Sequence, residues 1–297
     1  LILITGASGQ LGDALQKAAA ARNLDFRAVS RPAFDFDAPA SIKACFDAAA
    51  PDLVINAAAY TAVDAAEQNV AAAEAGNHTG PEILAKLCAG ADIPMIHIST
   101  DYVFDGTKGA PYTEDDATAP AGVYGRTKRD GEIAVLAACQ KVIILRTAWV
   151  YSAHGKNFAR TMLNAARKTS QLRVVADQKG TPTAASDLAA AIFDIVGRLR
   201  KSGWQDSYKG TYHATASGET SWYGFATAIF EAAAPCGLAV PTVSPIATTD
   251  WPTPAKRPAD SRLDCGKLAR SFGVTLPDWR TTLPGIVRDL MALDSPR

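Results

Sequence analysis

Tyr124 and Lys128 stand four residues apart in Val123-Tyr124-Gly125-Arg126-Thr127-Lys128, on what reads as the opening turns of a helix. That spacing presents both side chains on one face. An ammonium beside a phenol favours the phenolate and pulls its pKa down from about 10 toward neutrality. Such a pair could give a proton to, or take one from, a carbonyl–alcohol centre. The spacing is common by chance, so its meaning depends on what surrounds it. Two neighbours supply that context: a strand-like run ending in Ser99-Thr100-Asp101, and a glycine-rich loop near the start of the chain.

The loop is Gly6-x-x-Gly9-x-x-Gly12, placed between an apolar run of strand length, Leu1 to Ile4, and a helix-like stretch, Asp13 to Arg22. Glycines there allow a tight turn and let the backbone approach a pyrophosphate, which the free N–H groups of the helix N-terminus then hold. This points to dinucleotide binding. A site that reads a ribose 2′-hydroxyl would put an acid after the second strand. Here the chain reads Val29-Ser30-Arg31, so Arg31 is expected to meet a 2′-phosphate, which favours NADPH over NADH.

The elements that must position these groups alternate. Strands are expected at Asp25 to Ser30, Leu53 to Asn56, Met95 to Ser99 and Val142 to Val150. Helices are expected at Asp37 to Ala50, at Val70 to Ala89 as one long element, and from Tyr124 to about Ala138; Gly106 to Ala121 reads as a loop. That alternation implies βαβ units: an α/β fold with a doubly wound parallel sheet, Rossmann-type, and a smaller C-terminal substrate-binding lobe. Residues 1–150 are assigned mainly to the dinucleotide-binding part. Residues 151–297 are assigned mainly to the lobe, with some segments returning to the sheet. In that half, helices are expected at Asn157 to Lys168, Ser186 to Arg200 and Ser221 to Ala234, a strand at Leu172 to Ala176, and a Pro-rich segment at Pro235 to Pro258.

With 297 residues, 48% hydrophobic and 20% charged, the composition is that of a globular protein with a full core. The formal net charge of zero gives no bulk attraction to nucleic acid or an anionic membrane. The five dispersed cysteines contain no CxxC and read as reduced thiols in a cytoplasmic protein, not a metal site. Leu1 begins directly in a strand, so one or two preceding residues are expected. His213 reads as structural and Asp115-Asp116 as a solvated turn; Lys256 and Arg257 could reach a diphosphate.

Further blocks complete the pattern: Asn56 to Asp64 (Asn-Ala-Ala-Ala-Tyr-Thr-Ala-Val-Asp), Ser99 to Gly106, Arg146 to Tyr151, Asp177-Gln178-x-Gly180-x-Pro182-Thr183 and Arg257-Pro258-x-x-Ser261-x-Leu263-Asp264. With the glycine loop and the Tyr–Lys pair, the chain resembles the extended short-chain dehydrogenase/reductases, and within them the dTDP-4-dehydrorhamnose reductase family. The resemblance implies NAD(P)H-dependent reduction of a 4-keto dTDP-sugar. It implies that Gly9, Gln10 and Leu11 line the pyrophosphate, with Asp35 and Phe36 by the adenine and Ala58, Ala59, Tyr60 and Thr61 along the rest of the cofactor. It makes Lys128 the holder of the nicotinamide ribose, Tyr124 the proton donor and Thr100 a hydrogen-bond partner of the carbonyl. Val63, Asp101, Tyr102 and Trp149 would shape the sugar pocket. Family members that bridge a dimer with Mg²⁺ carry a glutamate two residues after the third glycine, where this chain has Ala14. The expected state is therefore a monomer or weak homodimer without that metal contact. A non-catalytic dinucleotide-binding subunit resembling the methionine adenosyltransferase β subunit, and a nucleotide-sugar epimerase or dehydratase, remain open alternatives on the same fold.

Overall fold

The computed structural model describes residues 1–293; the last four residues of the expected C-terminal lobe lie outside the described residues. In the first half β1 (Ile2–Thr5), β2 (Phe26–Val29), β3 (Leu53–Asn56), β4 (Met95–Thr100) and β5 (Val142–Thr147) alternate with α1 (Gln10–Ala21), α2 (Pro39–Ala49), α3 (Val63–Ala66), α4 (Val70–Glu74), α5 (Gly80–Gly90) and α6 (Val123–Ala138). The second half holds short strands β6 (Val150–Tyr151), β7 (Gln171–Val175), β8 (Lys179–Gly180) and β9 (Thr183–Ala184), with α7 (Phe158–Ala166) before β7 and α8 (Ala185–Ser202) after β9. It continues through β10 (Gly210–His213), β11 (Thr220–Ser221), α9 (Trp222–Ala233), β12 (Thr242–Ile246), α10 (Gly266–Phe272) and α11 (Trp279–Leu293).

Six strands form one parallel sheet in the order β10-β5-β4-β3-β1-β2. Its central strands are apolar and buried on both faces, as crossover helices require. Alternate residues go to opposite sides: Ile2, Ile4, Leu53, Ile55, Ile143 and Leu145 pack with α1, α8 and α10, whereas Leu3, Val54, Val142 and Ile144 pack with α2, α5 and α6. The chain leaves β1 for β2 on one side and returns to β3 on the other. That reversal opens a crevice at the carboxyl ends of the strands, the usual ligand position in such sheets.

A separate core forms around Tyr151, Phe225, Phe230, Trp279 and Leu283, from α7, α9 and α11. There β7 and β12 pair in parallel as a two-stranded sheet, so the expected Pro-rich connection includes a strand. Gly210–His213 supplies the outer strand beside β5. Its sequence Gly-Thr-Tyr-His carries no apolar run and gives no strand signal, yet Tyr212 and His213 are buried. The single helix expected from Val70 to Ala89 is present as an unbroken helical run, α4 and α5 joined through a wide π turn at Ala75–Thr79. Pro81 has no N–H to continue the ladder, which loosens the turn before it. The strand expected from Val142 to Val150 breaks after Thr147, and Trp149 takes a left-handed conformation at φ 46. The chain redirects there into the second core. All five cysteines are free, and no described helix is long and apolar enough to cross a membrane.

Candidate active site

The loop after β1 is shaped by contacts that only glycine permits. Gly6 has φ +73, and a Cβ there would lie 2.7 Å from the backbone of Ala57 and Ala58. At Gly12 a Cβ would stand 2.0 Å from the Gly6 carbonyl oxygen. Helix α1 therefore starts hard against the end of β1, with the Gly9 N–H donating to Gly6 O at 2.9 Å. The backbone N–H groups of its first turn have no partner within the helix and carry its positive end. Glycine substitution tests this cradle. Gly12→Ala should weaken NADPH binding about 10–100-fold through overpacking against backbone that cannot yield; cofactor titration followed by fluorescence measures it, and unchanged affinity would remove the cradle from the site.

Gln10 ties the loop to the second lobe: its Oε1 accepts from Ser152 Oγ (3.1 Å) and Asn157 Nδ2 (3.0 Å). Between the lobes runs a cleft of about 1210 Å³. Gly6, Gly9, Gln10, Leu11, Gly12, Arg31 and Phe36 line one end of it, and Ala58, Ala59, Tyr60, Thr61 and Val63 its middle. Thr100, Asp101, Tyr102, Tyr124, Lys128 and Trp149 line the part beyond the ends of β4 and β5. Of the sequence-expected residues, Asp35 and Lys256 are not among the lining. The Asp35 carboxylate is turned to Arg31, accepting from Nε at 2.8 Å, while Arg31 Nη2 donates to Asp37 at 2.8 Å.

At the reactive end, Tyr124 is buried with its ring edge-on to Tyr102 (5.5 Å between centroids, 73°). Burial pushes its phenol up to about 12, and hydrogen bonding from the Thr100 hydroxyl is the main influence in the other direction. The expected downward pull by Lys128 is not what this arrangement gives. Lys128 Nζ donates to the Ile98 carbonyl at 2.6 Å, and at the phenol loss of solvent outweighs the Thr100 hydrogen bond. Tyr124 is accordingly a neutral phenol at pH 7, holding its proton. Burial lowers Lys128 to about 8, partly offset by the Glu132 charge. Thr100 Oγ donates to Asp101 Oδ1 at 3.0 Å and accepts from the Tyr102 N–H at 3.2 Å. Asp101 is pushed up to about 6 by burial, against the Ser261 and Thr100 hydroxyls acting in the other direction.

Lys128 also sets a pH dependence. Its folded value lies below the usual lysine range, so it is cationic below about 8 and loses its charge as pH rises through that value. If the ammonium serves the chemistry, kcat/KM should fall about tenfold per unit above that point. A profile flat to strongly alkaline pH would dismiss the role. Stability moves the opposite way: the unfolded chain binds more protons between about 8 and the ordinary lysine value of 10.5, so folding strengthens with pH over that window.

Sequence reasoning missed several residues that hold the site. Asn77, in the π turn, accepts the Tyr60 N–H at 2.9 Å and donates to Tyr60 O and to Thr127 Oγ, both at 3.1 Å; Thr127 in turn donates to the Tyr124 carbonyl at 3.1 Å. Within a polar helical stretch nothing marks an asparagine as special. From the second lobe, Trp222 stacks on Trp149 (3.5 Å, 7°), and Trp251 and Thr253 reach the cleft wall beside Arg257, which the sequence already offers for a diphosphate. Gly180 leaves room for the Trp149 ring, since a Cβ would meet it at 2.5 Å. Trp222 sits in an apolar helix and reads as core in sequence.

Comparison with known proteins gives a consistent picture. The chain matches the family described as RmlD substrate binding domain over residues 1–292. It is 43% identical over 290 residues to dTDP-4-dehydrorhamnose reductase of Sinorhizobium fredii, covering 98% of this chain and 97% of the relative. Among solved structures, that of a dTDP-4-dehydrorhamnose reductase from Clostridium acetobutylicum is similar with a TM-score of 0.88 at 38% identity, covering 96% of this chain and 98% of that one. The enzyme of the same description from Bacillus anthracis, solved in complex with NADP, superposes with a TM-score of 0.86 at 31% identity, covering 96% and 97%.

Proposed function

The chain belongs to the RmlD substrate binding domain family, whose full-length relatives include dTDP-4-dehydrorhamnose reductases, and from that premise we propose that it reduces the C4 ketone of dTDP-4-dehydro-L-rhamnose to dTDP-L-rhamnose with NADPH. The observation that carries the reading is the convergence of Tyr124, Thr100 and Lys128 in one cleft with the glycine loop. The tight turn at Gly6 and the close packing of α1 at Gly12 bring the helix N-terminus and its free N–H groups to the end of β1, which fits a dinucleotide pyrophosphate. When bound, the nicotinamide supplies a hydride to the ketone carbon.

The protein's share is positional and acid–base. Thr100 offers a hydroxyl to the ketone oxygen, and Tyr124, neutral at pH 7, gives its proton to that oxygen as negative charge develops there. Lys128, anchored on the Ile98 carbonyl, holds the nicotinamide ribose. Val63, Asp101, Tyr102 and Trp149 enclose the sugar, and the second lobe excludes water from it.

Mixing protein, NADPH and the 4-keto sugar nucleotide should give a stoichiometric fall in reduced-nicotinamide absorbance and a single alcohol product. No fall rejects the activity. Arg31 is the residue assigned to the 2′-phosphate, but to reach it the guanidinium must exchange two carboxylates for one phosphate. The net preference it confers is therefore small: Arg31→Ala should lower the NADPH-over-NADH affinity ratio about fivefold. An unchanged ratio in paired titrations rejects the assignment.

A further inference from the structure

Helix α6 carries Tyr124 in its first turn, yet it starts without a cap of its own. Gly122 at the N-cap has no side chain, and the first intrahelical bond is Arg126 N–H to Gly122 O at 3.0 Å. The N–H groups of Val123, Tyr124 and Gly125 therefore have no acceptor inside the helix. Glu67, 56 residues earlier, fills the gap: its Oε1 accepts from the Val123 N–H at 2.8 Å. A Cβ on residue 122 would stand 2.7 Å from that oxygen, so glycine there makes room for the carboxylate. A negative charge at this end is also favoured by the aligned peptide dipoles.

Glu67 approaches from a fixed base. It closes the short helix α3, whose Asp64 is gripped by Arg257 Nη1 and Nη2 (3.1 and 2.8 Å) and by the Ala255 N–H (3.2 Å) from the second lobe. On its other side, the first turn of α6 abuts the Tyr102 carbonyl, which a Cβ on Gly125 would meet at 2.1 Å. Val123, held through its amide, is the residue directly before Tyr124, so any slip of this turn moves the phenol relative to Thr100.

We propose that Glu67 is a positioning residue for proton transfer, fixing the first turn of the catalytic helix so that the Tyr124 hydroxyl stays directed at the Thr100 side of the cleft. Its kinetic consequence rests on the reductase reading. The test compares Glu67→Ala, Glu67→Gln and Glu67→Asp in the full chain with NADPH bound. Alanine should lower kcat about tenfold, with sugar-nucleotide KM and NADPH affinity nearly unchanged. Glutamine keeps the acceptor oxygen and should restore most of the rate; aspartate keeps the charge but falls one methylene short and should behave like alanine. Hydrogen exchange at the Val123 amide should quicken about tenfold in the alanine and aspartate proteins alone. Wild-type kcat in Glu67→Ala, a loss confined to KM, or unaltered Val123 exchange would each overturn the proposal. If the wild type itself consumes no NADPH, the reductase reading falls, and the exchange rates at Val123 still decide whether Glu67 holds the turn.

Discussion

Tyr124→Phe should lose about 10²–10⁴-fold in turnover while binding NADPH as the wild type does. The substitution removes one oxygen and keeps the ring that packs edge-on to Tyr102, so neither the fold nor the cleft changes shape. What disappears is the proton. Held up to about 12 by burial, the phenol is fully protonated at neutral pH, which suits a group that donates as the ketone becomes an alkoxide. Thr100 beside it does not titrate usefully, and the Lys128 ammonium is committed to the Ile98 carbonyl. Single-turnover kinetics with the 4-keto sugar nucleotide would measure the loss. A variant retaining most of the wild-type rate would reassign the acid.

Arg146→Leu should destabilise the fold by about 3–5 kcal/mol. Arg146, on β5, donates from Nε and Nη2 to the two carboxylate oxygens of Glu132 on α6, at 2.9 and 2.7 Å. Both side chains are almost completely buried, at 6% and 4% exposure, so removing the cation leaves a carboxylate with no solvent to turn to. The guanidinium also lies 5.0 Å above the Phe104 ring, and burial together with its charge holds His213 down at about 3. Replacing Glu132 by leucine as well should recover most of the stability, because a buried ion pair contributes little beyond what it cost to bury. Chemical denaturation of the two single variants and the double one separates these terms; an Arg146→Leu protein as stable as wild type would contradict the account. The double variant carries a second signature. Glu132 raises Lys128, so without it the alkaline limb of the rate profile should move to lower pH.

Motifs made the chemistry legible before any coordinates. Three glycines after a strand fix where a helix can begin, and the Tyr–Lys spacing fixes which face of α6 meets the cleft, so local rules sufficed for both. Roles that depend on surroundings were not legible. The pKa of Tyr124 follows from how deeply the helix is covered, which spacing alone does not encode. Asp35 looked free to meet an adenine until the fold set Arg31 against it. Asn77 and Glu67 act through backbone groups that lie 17 to 56 residues away, and such partners leave no periodicity to read. Trp222 is apolar among apolar neighbours, and only the left-handed turn at Trp149 brings the two rings together.

The outermost strand of the large sheet, Gly210–His213, comes from the second half of the chain, as does α8, which covers α1. The two halves thus share one folding fate. A gene fragment ending near residue 150 would not encode a portable nucleotide binder; it would leave Ile143 and Leu145 on a raw edge and strip the cover from Leu15 and Ala19. A foreign module grafted in place of the second half would have to bring its own equivalents of β10 and α8 before the sheet could close.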